Sequence, residues 1–324
     1  MESNKMKAIT RTEYGLSDVL KMKEVDVPTP KDNEILIRVY ATTVNRTDCA
    51  ILSGKPFIMR FFTGLLKPNS PITGTDFAGQ IEFVGKNVTY FKIGDRVFGF
   101  NDTGLGSHAQ YMTVSEDKAV AIIPKELSYE EAAASLEGAH YAYNFINKVN
   151  LRSGQKVLVN GGTGAIGSSL VQFLKYFGTY VTVVCSTENI ELVKSLGADK
   201  VIDYTKEDFT QDIQKYHFVF DAVGKSSFTK CKPVLQPNGV YISSELGYMA
   251  QNLFLVFITS KICSKKVIFP VPTDIKRSIL FIKDLIEKEK FKPVIDRRYP
   301  LDKIHEAYNY VTIGQKIGNV IITF

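Results

Sequence analysis

A glycine-rich segment in the middle of the chain has the residue types and spacing of a dinucleotide-binding loop. The G-x-G-x-x-G pattern comprises Gly162, Thr163, Gly164, Ala165, Ile166 and Gly167. It follows a strand-like apolar run at 157–159 and opens a helical pattern near 166–177. In that context the first glycine allows a tight turn, the second lets the backbone approach a pyrophosphate, and the third brings the helix close to the sheet. The alternative is a glycine-rich turn that holds no ligand.

The residues beyond the loop narrow the class of ligand. A phosphate-binding loop of the ATPase type requires Lys at the position of Ser168, so an ATPase or kinase does not fit. After the next strand-like run, Ser186 and Thr187 stand where NAD sites usually place a carboxylate. Their hydroxyls, with that of Tyr204, are candidate donors to a 2′-phosphate, so we predict NADPH as the cofactor. Glu188 leaves NADH open, unless it is only a carboxylate at a helix start.

The elements that must position this loop alternate along the second half of the chain. Strand-like runs occur at 156–160, 180–185, 200–203, 217–223, 239–243 and 266–271. Helical patterns lie between them near 166–177, 188–196, 207–215, 226–235 and 249–263. Strands that alternate with helices in this way predict right-handed βαβ units and a parallel, doubly wound Rossmann sheet.

The two ends of the chain have a different pattern. Turn signals and β-branched residues are dense in residues 1–124, which predicts an antiparallel, barrel-like domain. Its strand-like runs are 6–12, 34–44, 79–84, 96–100 and 109–114. A helical pattern at 273–290, a second at 301–311 and a final strand at 318–324 do not extend the alternation. We therefore expect the C-terminal end to return to the first domain.

Six short motifs occur in a fixed order over essentially the whole chain. They are V-N-R-T-D at 44–48, G-T-D-F-A-G at 74–79, K-I-G-D-R-V at 92–97, the glycine loop, S-L-G-A-D at 195–199 and D-A-V-G at 221–224. In this order they resemble the zinc-independent quinone oxidoreductase branch of the medium-chain dehydrogenase/reductase superfamily. The resemblance implies an α/β protein with a GroES-like antiparallel β-barrel catalytic domain formed by 1–124 and 272–324, and a Rossmann dinucleotide-binding domain at 125–271.

The resemblance also implies an activity and an assembly. The family's reaction is hydride transfer from NADPH to quinones or α,β-unsaturated carbonyls, in the cleft between the two domains. Its members form homodimers, often through the edge strand of the cofactor domain, which here is 265–271. The implied substrate is therefore a small hydrophobic carbonyl or quinone.

Individual site residues follow from the same resemblance. Asn45 would orient the nicotinamide ribose or a substrate oxygen, Asp48 would organise that loop, and Tyr141 stands where the family often has Thr near the nicotinamide. Tyr40 and Tyr141 are possible replacement hydrogen-bond donors. The alternatives are local turn chemistry for Asn45 and Asp48 and packing for the two tyrosines. The positions that match further cofactor contacts are Val223, Gly224, Ser244, Phe269, Val271 and Asn319, the last in place of the common Lys.

A metal site is not expected. Zinc-dependent relatives carry Gly-His-Glu where this chain has Gly74, Thr75 and Asp76, and a cysteine ligand where it has Arg46 or Thr47. A zinc site needs three or four convergent ligands, and the four histidines have no partner at helical spacing. Quinones and conjugated carbonyls delocalise the charge that hydride transfer creates, so they need less polarisation than an isolated ketone.

Two departures from the family keep other functions open. Ala50 and Leu52 replace a Tyr and an Arg that quinone reductases of this branch often carry. A nucleotide-binding structural or regulatory protein with little turnover is therefore the second hypothesis, and a free-standing component of polyketide or fatty-acid synthesis the third. Residues 56–66 are rich in large apolar side chains, which predicts either a substrate-side lid or a helix packed on the barrel.

Composition excludes several other classes. The 324 residues are 44% apolar and 23% charged, typical of a globular protein of about two domains. The net charge of +6 is scattered, and no nucleic-acid-binding motif accompanies it. No apolar run is long enough to span a bilayer, and the N-terminus has no secretory signal pattern. We expect a cytoplasmic protein without a membrane span or a nucleic-acid partner.

Overall fold

The computed structural model describes residues 5–247, 251–262 and 264–324. The chain divides into two compact units. Unit 1 comprises Met1–Glu137, Asp274–Glu287 and Lys292–Phe324, and unit 2 comprises Gly138–Thr273 and Lys288–Phe291. The first boundary lies at 137 rather than at the predicted 124, because a helix at Tyr129–Ala134 packs on the strands of unit 1.

Unit 2 is built on a six-stranded parallel sheet. Its strands are β8 (Lys156–Asn160), β9 (Tyr180–Cys185), β10 (Lys200–Asp203), β11 (Tyr216–Asp221), β12 (Leu235–Ser243) and β13 (Lys266–Ile268). They lie in the order β10-β9-β8-β11-β12-β13, and every neighbouring pair is parallel. This is the doubly wound Rossmann order, in which the first strand lies beside the fourth. The prediction of a parallel, doubly wound sheet is confirmed.

The central strands are buried on both faces, which is why they contain continuous apolar runs rather than alternating ones. Val157, Leu158 and Val159 of β8 are all fully buried, as are Val219 and Phe220 of β11. Helices cover the two faces of the sheet. They are α4 (Glu137–Ile146), α5 (Ala165–Tyr176), α6 (Ile190–Ser195), α7 (Phe228–Cys231) and α8 (Gln251–Ile262).

Two predicted helices of unit 2 are wrong in extent. Only a single 3₁₀ turn, Phe209–Gln211, forms within the predicted 207–215. Asp208 accepts the backbone N–H of Thr210 and Asp212 accepts that of Gln214, so local side-chain bonds replace helical ones. The predicted 226–235 shortens to α7 and one 3₁₀ turn. Positions 249, 250 and 263 of the predicted 249–263 helix lie outside the described residues.

Unit 1 contains a two-stranded and a seven-stranded sheet. The small sheet pairs β1 (Lys5–Thr10) with β2 (Lys21–Asp26). The large sheet runs β14-β15-β3-β4-β5-β7, with β6 paired to β3. Its strands are β3 (Glu34–Val44), β4 (Asp76–Val84), β5 (Arg96–Phe100), β6 (Tyr111–Ser115), β7 (Val120–Ile122), β14 (Ile295–Pro300) and β15 (Asn319–Thr323).

One pair in the large sheet departs from the antiparallel prediction. Strands β14 and β15 are parallel, whereas the other pairs are antiparallel. The helix α10 (Ile304–Ile313) lies between them in the chain and returns it to the start of the sheet, as a parallel pair requires. The polar sequences of β2 and β14 have no apolar alternation, so sequence patterning did not predict these strands.

Unit 1 has four further helices among the described residues, of which α9 is the longest. They are α1 (Arg46–Ser53), α2 (Arg60–Thr63), α3 (Tyr129–Ala134) and α9 (Ile275–Glu287). Two apolar clusters hold the unit together. In one, side chains of α10, α1, β15 and β3 pack together, among them Tyr308, Leu52, Val320 and Val44. The other lies on the large sheet and includes Phe77. In the described part of the chain, no helix combines the length and apolar character that a bilayer crossing demands.

Candidate functional site

The glycine loop connects the end of β8 to the start of α5. Strand β8 ends at Asn160, and α5 begins at Ala165. The left-handed residue of the turn is Gly161, with φ of +82°, a conformation that favours glycine. The tight turn that the sequence assigned to Gly162 therefore lies one residue earlier.

Two other glycines of the loop allow backbones to pack closely. A β-carbon on Gly167 would lie 2.0 Å from the carbonyl oxygen of Gly161, and one on Gly162 would lie 2.1 Å from Val183 Cγ1. By contrast, a β-carbon on Gly164 would meet no atom within 4 Å. Gly162 and Gly167 are thus required by the fold, whereas Gly164 borders open space that a ligand can occupy.

The start of α5 has the features of an anion-binding helix terminus. Gly164 is its N-cap and supplies no side-chain hydrogen bond to the first turn, and no acidic residue stands in that turn. The N–H groups of the first turn and the positive end of the helix dipole favour a phosphate there. Thr163 and Ile166 are half-buried beside this terminus. Loop geometry and helix terminus together fit the pyrophosphate of a dinucleotide.

The loop also lies where the strand order reverses. Strand β8 is flanked by β9 on one side and by β11 on the other, and ligands of doubly wound sheets bind beyond the carboxyl ends at such a point. A β-carbon on Gly161 would lie 2.3 Å from Val223 Cγ1, so the loop contacts the segment that follows β11. Gly224 continues that segment with φ of +63°.

A buried polar network that the sequence analysis did not predict holds this edge of the sheet. The Asp221 carboxylate at the end of β11 accepts the Asn160 side-chain amide at 2.9 Å and the Tyr241 hydroxyl at 3.0 Å. It also accepts the backbone N–H of Ser226 at 3.0 Å. Asp221 is fully buried, so these bonds fix the ends of three strands against one another. The D-A-V-G motif at 221–224 was the sequence signal that could have pointed to Asp221.

The remaining predicted cofactor contacts of unit 2 lie beyond the same ends. Ser244 follows β12, and its backbone N–H donates to the Asp221 carbonyl at 3.1 Å. Phe269 and Val271 follow β13 at the sheet edge, where Val271 is 51% exposed. All three residues are thus at the carboxyl edge of the sheet, where β12 pairs with β11 and β13 pairs with β12.

Ser186 is engaged with an acidic residue. Its hydroxyl donates to Glu188 Oε1 at 2.6 Å and accepts the Asn189 side-chain amide at 3.0 Å. The hydrogen bond from Ser186 lowers the pKa of Glu188, which is exposed and therefore negatively charged at neutral pH. The predicted donor to a 2′-phosphate is consequently paired with a carboxylate.

Thr187 has a similar partner on the next strand. Its hydroxyl donates to Asp203 Oδ2 at 2.5 Å, and Thr205 donates to the other carboxylate oxygen at 2.7 Å. Hydrogen bonds from Thr187 and Thr205 lower the pKa of Asp203, and Lys206 Nζ lies 3.3 Å from it. Tyr204, between these residues, is 61% exposed. Two carboxylates and one lysine thus accompany the three hydroxyls predicted at this position.

In unit 1, Asn45 and Asp48 form a capping box at the start of α1. Asn45 Oδ1 accepts the Asp48 backbone N–H at 2.8 Å, and Asp48 Oδ2 accepts the Asn45 backbone N–H at 3.1 Å. Both side chains are 2% exposed. This is the helix-start chemistry that was the alternative to a catalytic role.

The Asn45 amide links the cap to a buried carboxyl group, Asp76. Its Nδ2 atom donates to Thr75 Oγ1 at 2.9 Å and lies 3.3 Å from Asp76 Oδ2. Asp76 also accepts the backbone N–H of Thr43 at 2.7 Å and its hydroxyl at 2.5 Å. Burial raises the pKa of Asp76 to about 6, although the bonds from Thr43 and Thr42 oppose the shift.

Two further carboxyl groups lie near this network. Glu137 is 5% exposed and accepts the Thr47 hydroxyl at 2.9 Å. Burial raises its pKa, while the Lys316 ammonium opposes the rise. Burial and the charge of Asp76 raise the pKa of Asp48, whose Oδ1 atom has no hydrogen-bond partner among the described residues. Sequence reasoning missed Asp76 and Glu137 as members of this group.

Other predicted residues have identifiable neighbours. Tyr141 is half-buried in α4, and its ring meets the ring of His140 edge-on with centroids 5.6 Å apart. Tyr40 stacks on Tyr129 at 4.6 Å, which is a packing role. Asn319 is 5% exposed at the start of β15, where its backbone N–H and its side-chain amide both donate to the Val294 carbonyl.

The side chains at the metal position of zinc-dependent relatives do not fit a zinc ion. The carboxylate of Asp76 accepts hydrogen bonds from its own sheet, Thr75 offers a hydroxyl, and Arg46 offers no acceptor. Burial raises the pKa of the Cys49 thiol to about 11, which disfavours the thiolate that zinc requires. Within 5–247, 251–262 and 264–324, no three His, Cys, Asp or Glu residues are grouped to hold a metal ion.

The pKa of Asp76 predicts how stability depends on pH. Folded Asp76 keeps its proton up to about pH 6, whereas an unfolded aspartate releases it near pH 4. Between these values the folded state binds more protons, so this group makes stability fall as pH rises and has no further effect above pH 6. The quantity to compare is the unfolding free energy of wild type minus that of Asp76→Asn. We expect this difference to be about 2–3 kcal/mol larger at pH ~4 than at pH ~7.

Urea unfolding at the two pH values measures this difference. Asp208→Asn is the matched control, because hydrogen bonds lower the pKa of this exposed aspartate and the sign of its pH effect is opposite. A gap between wild type and Asp76→Asn that is equal at both pH values, or larger at the higher one, would contradict the assignment.

Comparison with known proteins agrees with this architecture. Residues 31–125 match the alcohol dehydrogenase GroES-like domain, and residues 196–322 match the zinc-binding dehydrogenase family. The structure of the quinone oxidoreductase from Coxiella burnetii superposes with a TM-score of 0.87 over 99% of both chains, at 24% identity. At that identity the likeness establishes the fold.

Relatives in sequence establish the family. A 2-methylene-furan-3-one reductase of Solanum lycopersicum is 35% identical over 98% of this chain and 79% of its own length. A quinone-oxidoreductase homolog of Spinacia oleracea is 32% identical over 99% of both chains, and the quinone oxidoreductase of Homo sapiens is 30% identical over 95% of this chain. The chain is an oxidoreductase that uses a nicotinamide cofactor, and it belongs to the quinone oxidoreductase branch of the medium-chain dehydrogenase/reductase superfamily.

Proposed function

We propose that this protein is a zinc-independent, NADPH-dependent reductase that transfers hydride to quinones or α,β-unsaturated carbonyls. The observation that carries the proposal is the open space at Gly164, in a loop whose other glycines are closed by backbone and side-chain contacts. Its relatives by name include a 2-methylene-furan-3-one reductase, an NADPH-dependent alkenal/one oxidoreductase and several quinone oxidoreductases. Both acceptor classes carry a conjugated carbonyl.

The residues of unit 2 would hold the cofactor along the carboxyl edge of the sheet. The α5 terminus, from Gly164 to Gly167, would bind the pyrophosphate through backbone N–H groups. Val223 and Gly224 would border the adenosine ribose, and Ser244, Phe269 and Val271 would border the nicotinamide. When bound, the cofactor supplies the hydride, and the chain contributes binding, orientation and electrostatics.

We propose that Asn45, Asp48 and Asn319 of unit 1 hold elements of the fold in place and take no part in the bonds that the reaction makes or breaks. Asn45 and Asp48 are buried and bonded to each other, so we propose them as positioning residues that fix α1 against β3 and β4. Asn319 fixes the β15 start through Val294 in the same way. Tyr141 remains our candidate for the donor to the developing oxyanion, since a phenol hydroxyl placed at that oxygen would stabilise the transition state.

The substrate assignment can be tested with a panel of acceptors. We expect purified enzyme to oxidise NADPH with quinones and conjugated enals and not with saturated aldehydes, since only conjugated acceptors delocalise the charge without a metal. Tyr141→Phe should lower kcat by about tenfold or more and leave the NADPH dissociation constant unchanged. Tyr40→Phe is the control, because its ring has a packing role. Turnover of saturated aldehydes would contradict the proposal. So would a loss of activity on dialysis against a chelator that only added zinc restores.

The glycine loop separates cofactor binding from folding. Gly164→Val should fold, since the added side chain enters open space, but should weaken NADPH binding by at least about tenfold. Gly167→Val is the matched substitution and should lower the unfolding free energy by about 3 kcal/mol or more, because it meets the Gly161 carbonyl. Calorimetry and fluorescence titration measure the two effects, and unchanged NADPH affinity in Gly164→Val would refute the loop assignment.

NADH is a second candidate cofactor, favoured by the bond between Ser186 and Glu188. A carboxylate at this position can accept the ribose 2′-hydroxyl, and it repels a 2′-phosphate. For NADPH, Ser186 must turn its hydroxyl to the phosphate, and Lys206 must offset the charge of Asp203. The two candidates therefore respond differently when Glu188 is neutralised.

Titration of both cofactors with matched variants distinguishes them. If NADPH is the cofactor, Glu188→Gln should tighten NADPH binding by about tenfold, and Ser186→Ala should weaken it. If NADH is the cofactor, Glu188→Gln should weaken NADH binding by a similar factor. Glu191→Gln is the control, since Glu191 is exposed on α6 and is paired with Lys194. Affinities that no variant changes would mean that this edge does not contact the ribose.

The assembly and location of the protein are also proposals. Strand β13 is one of the two edge strands of the parallel sheet, and within the described residues no further strand pairs with it, which supports a homodimer in which two β13 strands pair. Sedimentation velocity would detect this, and a monomer would contradict it. The cytoplasmic location stays a prediction, since several relatives are chloroplastic by name.

A further inference from the structure

One short segment of unit 1, residues 55–67, exposes an unusual concentration of large apolar side chains. Its sequence is K-P-F-I-M-R-F-F-T-G-L-L-K. Phe61 is 68% exposed, Phe62 63% and Leu66 89%, and three neighbours are at least half exposed: Phe57, Ile58 and Leu65. These large apolar side chains therefore face solvent, whereas one of the two predictions had the segment as a helix packed on the barrel. Contiguous apolar surface of this kind marks an interaction site.

The base of the segment is fixed, so the exposure is a property of its conformation. The Tyr14 hydroxyl donates to the Gly64 carbonyl at 2.5 Å and lies 2.9 Å from Thr63 Oγ1. Thr63 is 5% exposed and donates to the Met59 carbonyl at 3.0 Å. The Arg60 guanidinium covers the Tyr14 ring at 4.5 Å. Polar groups thus face the protein, and the large apolar side chains face outward.

The charges of the segment are all of one sign. Lys55 and Lys67 are exposed at its two ends, Arg60 is half-buried, and the chain has no acidic residue between Asp48 and Asp76. A basic rim around aromatic and leucine side chains is complementary to a membrane interface that carries anionic lipids. A protein partner or a second copy would instead need an acidic apolar surface.

We propose that residues 55–67 bind the surface of an anionic bilayer, with Phe61, Phe62 and Leu66 inserted at the level of the headgroups and Lys55 and Lys67 against the lipid phosphates. Insertion to this depth requires no membrane-spanning helix. The inference is independent of the proposed reaction, because neither binding nor its test involves turnover.

Vesicle sedimentation tests the proposal on the full-length protein. We expect binding to vesicles of phosphatidylcholine with about a third phosphatidylglycerol, little binding to phosphatidylcholine alone, and weaker binding as salt rises. Phe61→Ser with Leu66→Ser should weaken binding by at least about tenfold, and Lys55→Gln with Lys67→Gln by about the same factor. Ile213→Ser with Ile313→Ser is the matched control, since these residues are 93% and 66% exposed elsewhere and should not change binding.

The absence of tryptophan from the chain provides a second measurement. Phe61→Trp places one indole in the segment, and its emission should shift to shorter wavelength when anionic vesicles are added. Tyr90→Trp is the control, because Tyr90 is an aromatic residue of unit 1 that is 75% exposed outside the segment. This conservative pair keeps the test valid even if the serine variants fold poorly.

Each alternative gives a different result. Equal binding by wild type and the Phe61→Ser, Leu66→Ser variant would overturn the proposal, as would a blue shift of both indoles or of neither. If the segment were a substrate lid, the serine substitutions would raise KM for a water-soluble quinone and leave vesicle sedimentation unchanged. If it bound a second copy, they would change the sedimentation coefficient without vesicles. Either outcome in place of lipid binding rejects the membrane surface.

Discussion

The nucleotide-binding unit depends on one close approach between two backbones. Helix α5 comes so near to the end of β8 that a β-carbon at Gly167 would lie 2.0 Å from the Gly161 carbonyl oxygen. This approach places the start of α5 beside the carboxyl end of β8. The left-handed turn at Gly161 and the buried Asp221 network both serve this placement. A phosphate site built from backbone needs such rigidity, since it has no side chains to adjust.

Unit 1 buries several carboxyl groups close to one another, namely those of Asp48, Asp76 and Glu137. Each buried oxygen must find a donor, and the threonines of β3 and the Asn45 amide provide most of them. The same bonds set the geometry of the helix start, because Asn45 and Asp48 are capped by each other. The raised pKa of Asp76 shows that burial outweighs these bonds. Positions that carry metal ligands in zinc-dependent relatives are thus used here for a hydrogen-bonded polar network.

Near Ser186, the hydroxyl groups that we propose as cofactor contacts are hydrogen-bonded to carboxylate groups. A serine or threonine hydroxyl can donate to a phosphate or to a neighbouring carboxylate, and in this structure Ser186 and Thr187 do the latter. The sequence alone shows which groups are present but not where each proton points. In the proposed function, specificity for the ribose 2′-position would depend on the energy of two local hydrogen bonds and on the charge of Lys206.

The sequence by itself determined the alternation of strands and helices and the place of the glycine loop. Five strands have the predicted bounds: β3, β5, β8, β9 and β10. Their apolar residues form continuous or alternating runs, and such runs can be recognised from the local sequence. The sequence did not determine β2 or β14, whose polar residues are held by pairing with distant strands. Only the tertiary structure brought Asp76 and Glu137 to the α1 start and paired Ser186 with Glu188. The contacts of Asp76 and Glu137 depend on how distant segments pack, and spacing along the chain carries no signal for them. Ser186 and Glu188 are two residues apart, and only the direction of their side chains was left to the tertiary structure.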